Sequence, residues 1–147
     1  MSNLYDLLKQ DVFDSRDILE KIDELKSEAL SLKNEIFELF KKRNLADILS
    51  IKNQKEVITQ EITILQNFKQ DCENYTSEFE SGATIISWRY FGDYCEECAY
   101  EFGYISKSKN YSNPLYNCID WRQWADFMRQ DFAEVSCEGG NYFISSY

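Results

Sequence analysis

No histidine occurs anywhere in the 147 residues. That absence removes the commonest general base, the usual imidazole metal ligand and every histidine-dependent catalytic triad. Glycine and proline are missing from residues 1–81, while all five glycines, the one proline and all three tryptophans follow. Those two residue types end helices and make tight turns, so a long stretch without them reads as helix throughout. The chain therefore divides at Gly82 into a helical region, 1–82, and a compact aromatic-rich region, 83–147. Long apolar runs are also lacking, so no membrane span is expected. Residues 1–10 carry a single lysine and no apolar core of signal-peptide length, which points to a cytoplasmic protein. Five cysteines without an export signal read as reduced thiols.

What is present in excess is negative charge. Residues 1–82 carry 17 acidic and 11 basic side chains and residues 83–147 carry 9 and 5, giving a net charge of -10 spread over both regions. Such a field repels phosphate backbones, which argues against direct nucleic-acid binding and for attraction to a basic groove on another protein. Acidic surfaces also serve solubility alone.

In the first region Ile18, Ile22, Leu25, Ala29, Leu32, Ile36 and Leu39 follow a four-three spacing, the heptad rule of a coiled-coil seam. Asp14 or Ser15 suits the N-cap of this helix, and Lys41, Lys42 and Arg43 suit its C-terminal end. Asp17 with Lys21 and Glu38 with Lys42 form i,i+4 pairs. A second amphipathic helix carries Ile58, Ile62, Leu65, Phe68, Cys72, Tyr75 and Phe79 after a polar connector at 43–55, in which Asn44 and Asn53 are break points and Leu45, Ile48, Leu49 and Ile51 suit a short helix. Two such helices pack as an antiparallel hairpin. Leu19, Leu30, Phe37 and Phe40 lie off the seam. They either support a homodimer held through the helical seam or cover the aromatic region.

The second region holds 16 of the 23 aromatic residues. Residues 83–86 read as a short buried strand, and Ser87 as the cap of a helix whose face is Phe91, Tyr94, Cys95, Cys98 and Phe102. Gly103 ends that helix and 107–117 reads as a loop. Asp120 caps a helix bearing Trp121, Trp124, Ala125 and Met128, and 132–144 reads as a hairpin about Gly139-Gly140. The expected fold is α+β: an N-terminal helical hairpin, then a three-stranded antiparallel sheet with two helices. This order also matches a winged helix. The helix at 120–130, however, offers Asp120, Asp126 and Asp131 beside Arg122 and Arg129, a poor surface for reading DNA.

Candidate chemistry is sparse. Cys95 and Cys98 form a C-x-x-C that, with Cys118 and Cys137, makes half of a four-thiolate zinc pattern, yet both also suit a small apolar helix face. The carboxylates follow no hydrolase spacing and no glycine-rich phosphate loop exists. Trp121 and Trp124 read as core or as a ligand platform. No enzymatic activity, cofactor or bound metal is expected.

One resemblance stands out. Residues 90–105, with Phe91, Tyr94, Cys98 and Gly103, then Ile119-Asp120-Trp121 and the segment Asp131-Phe132-Ala133-Glu134-Val135, are similar to the ends of small phage and plasmid proteins. They also resemble the C-terminal part of ArdA-type antirestriction proteins, acidic DNA mimics encoded on mobile elements. The helical region has no counterpart in that pattern. The resemblance implies a mobile-element protein of the bacterial host cytoplasm, an antirestriction or anti-CRISPR inhibitor whose partner is a nucleic-acid-binding defence protein. On that reading Asp93, Glu96, Glu97, Glu101, Asp131, Glu134 and Glu138 make the partner contacts, with Tyr100 or Tyr104 as aromatic anchor. The other expectation is a coiled-coil scaffold that recruits its partner through exposed apolar groups such as Trp121 and Tyr142.

Overall fold

The computed structural model describes residues 4–106 and 114–145. The fold is α+β. A short helix α1 (Leu4–Leu8) leads into strand β1 (Val12–Asp14) and two long helices, α2 (Ser15–Lys41) and α3 (Leu45–Glu73). Strand β2 (Thr84–Ser87), helix α4 (Phe91–Glu101), a 3-10 turn (Pro114–Cys118), helix α5 (Trp121–Met128) and the hairpin β3 (Phe132–Cys137) and β4 (Gly140–Ser145) follow. Residues 107–113 of the expected loop lie outside the described residues. Among the described residues, no helix is long and apolar enough to cross a membrane.

Helix α2 starts where its local chemistry directs. Asp14 is the N-cap: its carboxylate accepts from the Arg16 backbone N–H at 2.8 Å, while Asp17 accepts from the Asp14 N–H at 3.0 Å. This reciprocal capping box satisfies donors that a helix start leaves orphaned. Asp17 is thereby used in the cap, and Lys21 pairs instead with Glu24 at 3.3 Å. Likewise Glu38 pairs with Lys41. The turn between the long helices is made without glycine: Arg43 adopts a positive φ of 56°. Asn44 then caps α3 by accepting from the Asp47 N–H.

Helix α3 corrects the expected connector. It runs unbroken from Leu45, because Ile48, Ile51, Ile58, Ile62 and Leu65 recur at steps of three, four or seven on one face and turn inward, and an exposed Asn53 lowers helix propensity only slightly. The helix stops at Glu73, short of Tyr75 and Phe79, and Phe79 reaches the core from the following loop. At 27 and 29 residues, the two helices form a hairpin about 40 Å long.

The sheet has four strands where three are expected, in the order β1-β2-β4-β3 and antiparallel throughout. The added strand comes from the region read as wholly helical. Phe13 sits opposite Ile85, and Val12 opposite Ile86. Three residues are too few to show a period-two pattern, so this strand exists only through its pairing. Ser87 belongs to β2 and does not cap α4; Tyr90 precedes that helix without a side-chain cap bond.

Alternation along the strands separates two packed layers. Phe13, Ile85, Tyr142, Ile144 and Val135 join one core with Ile18, Ile22, Leu25, Leu65 and Phe68 of the hairpin. On the other face, Ile86 and Phe143 pack with Phe91 and Cys95 of α4 and with Trp124 and Met128 of α5. Packing is thus continuous across Gly82. Tyr142, read as a candidate surface contact, is buried: its hydroxyl donates to the Leu8 carbonyl at 2.7 Å and its ring meets Phe68 edge-on at 5.4 Å.

Ser15 ties the layers together. Its buried hydroxyl donates to the Phe79 carbonyl at 2.5 Å and accepts from the Ala83 N–H at 2.7 Å, while its own N–H donates to the Ala83 carbonyl at 2.8 Å. Replacing Ser15 by Ala leaves a buried acceptor and a buried donor unmatched. Stability to urea should fall by about 2–4 kcal/mol; a loss under half a kilocalorie in an equilibrium unfolding curve would show that water substitutes for the hydroxyl.

Candidate functional site

Helix α4 carries most of the residues expected to meet a partner, and its geometry sorts them. Asp93, Glu97 and Glu101 stand at i, i+4 and i+8 and are all exposed, forming one row along the helix with a rise of about 6 Å per step. The Tyr90 hydroxyl donates to Glu97 at 2.7 Å, and this hydrogen bond pushes the Tyr90 phenol up to about 12. Glu96 faces another way. It accepts from Tyr116 at 3.3 Å and Tyr100 at 3.5 Å, and the two phenols are themselves bonded at 2.8 Å. That tyrosine pair, with Trp121 6.1 and 6.0 Å from the two rings, fastens α4 to the 3-10 turn and to α5. Its hydrogen bond to Tyr100 is the main cause that pushes Tyr116 up to about 12. Glu96 and Tyr100 therefore hold the fold together.

The other expected contacts lie elsewhere. Glu134 on β3 forms an ion pair with Arg129 at 3.2 Å, and Arg129 also lies over the Phe143 ring at 5.2 Å. Glu138 sits in the β3–β4 turn with a positive φ of 49°, followed by Gly139 at 77°. Such a two-residue turn matches the right-handed twist of the hairpin and places the Glu138 carboxylate at its tip. The expected set is thus brought together only in part: Asp93, Glu97 and Glu101 in a row, Tyr104 and Asp131 in a separate groove.

That groove is a cavity of about 510 Å³ between α4, α5, the 76–84 segment and the sheet. Its aromatic wall is a chain of contacts. Phe102 meets Tyr104 edge-on at 6.1 Å, Tyr104 meets Trp124 edge-on at 5.7 Å, and Phe127 stacks on Trp124 at 5.7 Å. The Trp124 indole N–H donates to the Cys95 carbonyl at 2.7 Å, which fixes the ring. Tyr104 is 70% exposed and Phe127 61%. Glu78 and Asp131 line the same cavity, and no lysine or arginine does among the described residues. Phe102 is expected only on the packed face of its helix, and Phe127 and Glu78 are absent from the sequence expectation. One signal was available for Phe127: it follows Trp121 and Trp124 at three-residue steps, on a helix with none of its residues fully buried.

The residues expected at a dimer seam are placed as follows. Ile18, Ile22 and Leu25 are buried in the chain's own core, Ala29 and Leu32 pack against it, and Ile36 and Leu39 are half-buried farther along α2. Leu19 also packs on the core, whereas Leu30, Phe37 and Phe40 are exposed.

Four of the five thiols are buried; Cys118 is exposed. Burial pushes Cys72 and Cys95 up to about 12 and Cys137 to about 11. Thiols with such values stay protonated at neutral pH and are poor nucleophiles and ligands. Cys137 belongs to the core against the hairpin, on the sheet face opposite Cys95. Among the described residues, no group of three or more His, Cys, Asp or Glu side chains is arranged to hold a metal ion. With a thiol-reactive disulfide reagent at pH 7, the native chain should release about one equivalent quickly, from Cys118, and the remaining four only on unfolding. Rapid reaction of several thiols in the native protein would contradict this burial.

Compared with known protein families, curated proteins and solved structures, the chain matches none.

Proposed function

We propose that this chain is a non-enzymatic inhibitor that occupies the nucleic-acid groove of a bacterial defence nuclease, a restriction or CRISPR effector, with its acidic face. The observation that carries the reading is the exposed row Asp93, Glu97 and Glu101 on a chain of net charge -10. Carboxylates about 6 Å apart repeat negative charge on the length scale of a nucleic-acid backbone, whose charges recur about every 3.4 Å of axis on each strand. The resemblance of residues 90–135 to the end of ArdA-type antirestriction proteins supports the same reading, in which the chain comes from a phage or mobile element and acts in the host cytoplasm. Electrostatic attraction of this kind speeds encounter and is screened by salt. The test is cleavage of DNA by a panel of purified restriction and CRISPR effectors with the chain added in stoichiometric amount. Inhibition of at least one effector that weakens as salt rises supports the reading; no inhibition of any sinks it.

A second reading, a coiled-coil homodimer serving as a scaffold, is favoured by a separate observation. Leu30, Phe37 and Phe40 of α2 and Leu45 and Leu49 of α3 are exposed toward the hairpin's far end. At about 25 cal/mol per Å², covering several such side chains stabilises a dimer by several kcal/mol. Since Ile18, Ile22, Leu25, Ala29 and Leu32 of the heptad seam pack within the chain, self-association would use the exposed residues instead. Light scattering that gives a monomer at micromolar concentration removes this reading.

A further inference from the structure

We propose that the cavity where the end of α1, the β2–α4 turn and the β3–β4 turn meet binds a nucleoside monophosphate, with the base on Trp88 and the phosphate held by Lys9 and Arg89. This site is separate from the α4 row and from the groove beside Trp124, and it is independent of the inhibitor reading.

The walls come from distant parts of the sequence, and the fold fixes each of them. The Tyr142 hydroxyl donates to the Leu8 carbonyl at 2.7 Å, which seats the end of α1, with Lys9, on the sheet. In the β2–α4 turn the Trp88 N–H donates to the Asn141 carbonyl at 3.0 Å and the Tyr90 N–H to the Ser87 carbonyl at 2.9 Å. These bonds hold the backbone of Trp88 and Arg89. Glu138 supplies the third side from the hairpin turn, and the buried Leu8 and Tyr142 form the floor of a cavity of about 380 Å³.

Charge and ring chemistry select the ligand. The chain carries a net charge of -10, yet this cavity is lined by two cations, Lys9 and Arg89, against one carboxylate, Glu138. Among the described residues, neither cation forms an ion pair. Charges farther off than about 8 Å are largely screened at physiological salt, so these two outweigh acids elsewhere on the surface. Trp88 is 56% exposed, and among the described residues its ring meets no other, unlike Trp121 and Trp124. Bases stack on such open rings, and a bicyclic base covers more of an indole than a phenyl ring does. Arginine bonds phosphate with a two-pronged fork, and lysine adds a point charge. A phosphate monoester carries about -1.5 to -2 at neutral pH, which two cations match. A polyphosphate would bring surplus negative charge toward Glu138, and a cavity of this volume, near the lower end for binding sites, suits one nucleotide. An apolar ligand would take water from both cations and bring no counter-charge.

The purified chain can be titrated at physiological salt with AMP and, in parallel, with adenosine, inorganic phosphate and N-acetyl-phosphotyrosine amide. The Trp88 indole N–H resonance, identified by its loss in Trp88→Phe, serves as reporter. A saturable shift is expected for AMP, with the other three weaker by about tenfold or more. The Lys9→Ser/Arg89→Ser variant removes two exposed cations and should weaken AMP binding at least about tenfold with its thermal melt unchanged. If that variant does not fold, Arg89→Gln carries the same comparison. The assignment is overturned by the absence of a saturable shift with AMP, by equal binding of adenosine, phosphate or the phosphotyrosine amide, or by undiminished AMP binding in the folded variant. No nuclease is present in this titration, so its failure leaves the inhibitor reading standing, and failure of the nuclease panel leaves the cavity to be judged by the titration alone.

Discussion

Leu25→Asp should unfold the entire chain, sheet included, and not merely fray the hairpin. Leu25 is 3% exposed and belongs to the cluster that joins α2 and α3 to Ile85, Val135 and Ile144. Truncating a buried leucine removes about 2–5 kcal/mol through lost transfer energy and the cavity left behind. An unpaired carboxylate at the same place adds several kcal/mol more, or forces its own protonation. Together these reach the whole stability of a domain this size, about 5–15 kcal/mol. The helical signal in far-ultraviolet circular dichroism and the near-ultraviolet signal of Trp88, Trp121 and Trp124 should therefore vanish together. Retention of the tryptophan signal after loss of helix would mean that the sheet with α4 and α5 folds without the hairpin.

The second large effect concerns recognition. Reversing Asp93, Glu97 and Glu101 to lysine adds six units of charge and takes the net from -10 to -4. All three side chains are exposed, and the reversal breaks the Tyr90–Glu97 hydrogen bond at the start of α4. Stability should therefore change by no more than about 1 kcal/mol. Affinity for the inhibited nuclease should fall by about 100-fold or more, mainly through slower association, and the salt dependence should flatten. The matched control reverses Glu20, Asp23 and Glu35 on the exposed side of α2, which packs on the other face of the sheet. If binding follows the position of the charge, this control keeps most of its affinity. Equal loss in both variants would reduce the effect to net charge and remove α4 as the contact element.

What could be read from the sequence was local. The capping residues Asp14 and Asp120 and the Gly139 turn are each written within a few adjacent residues, and each stands where expected. Pairings between distant residues were not legible. Strand β1 exists because Val12 and Phe13 find Ile86 and Ile85 more than seventy positions later. Asn44 and Asn53 looked alike as break points, yet only Asn44 caps a helix, because packing of Ile48 and Ile51 carries α3 through Asn53. At the site, the acidic character of α4 was visible, but which carboxylates stay outward was not. Glu96 is taken up by Tyr116, 20 residues away, while Asp93, Glu97 and Glu101 share a helix row and face solvent. The groove needed the juxtaposition of α4 and α5, which no periodicity encodes.

The acidic-face account requires that the chain and nucleic acid compete for one groove. Adding a cognate DNA duplex to the preformed complex of the chain with the nuclease it inhibits, and following the chain by fluorescence anisotropy, tests this directly. The account predicts full displacement of the chain, with an apparent affinity that falls in proportion to duplex concentration. A stable ternary complex of nuclease, duplex and chain would contradict it.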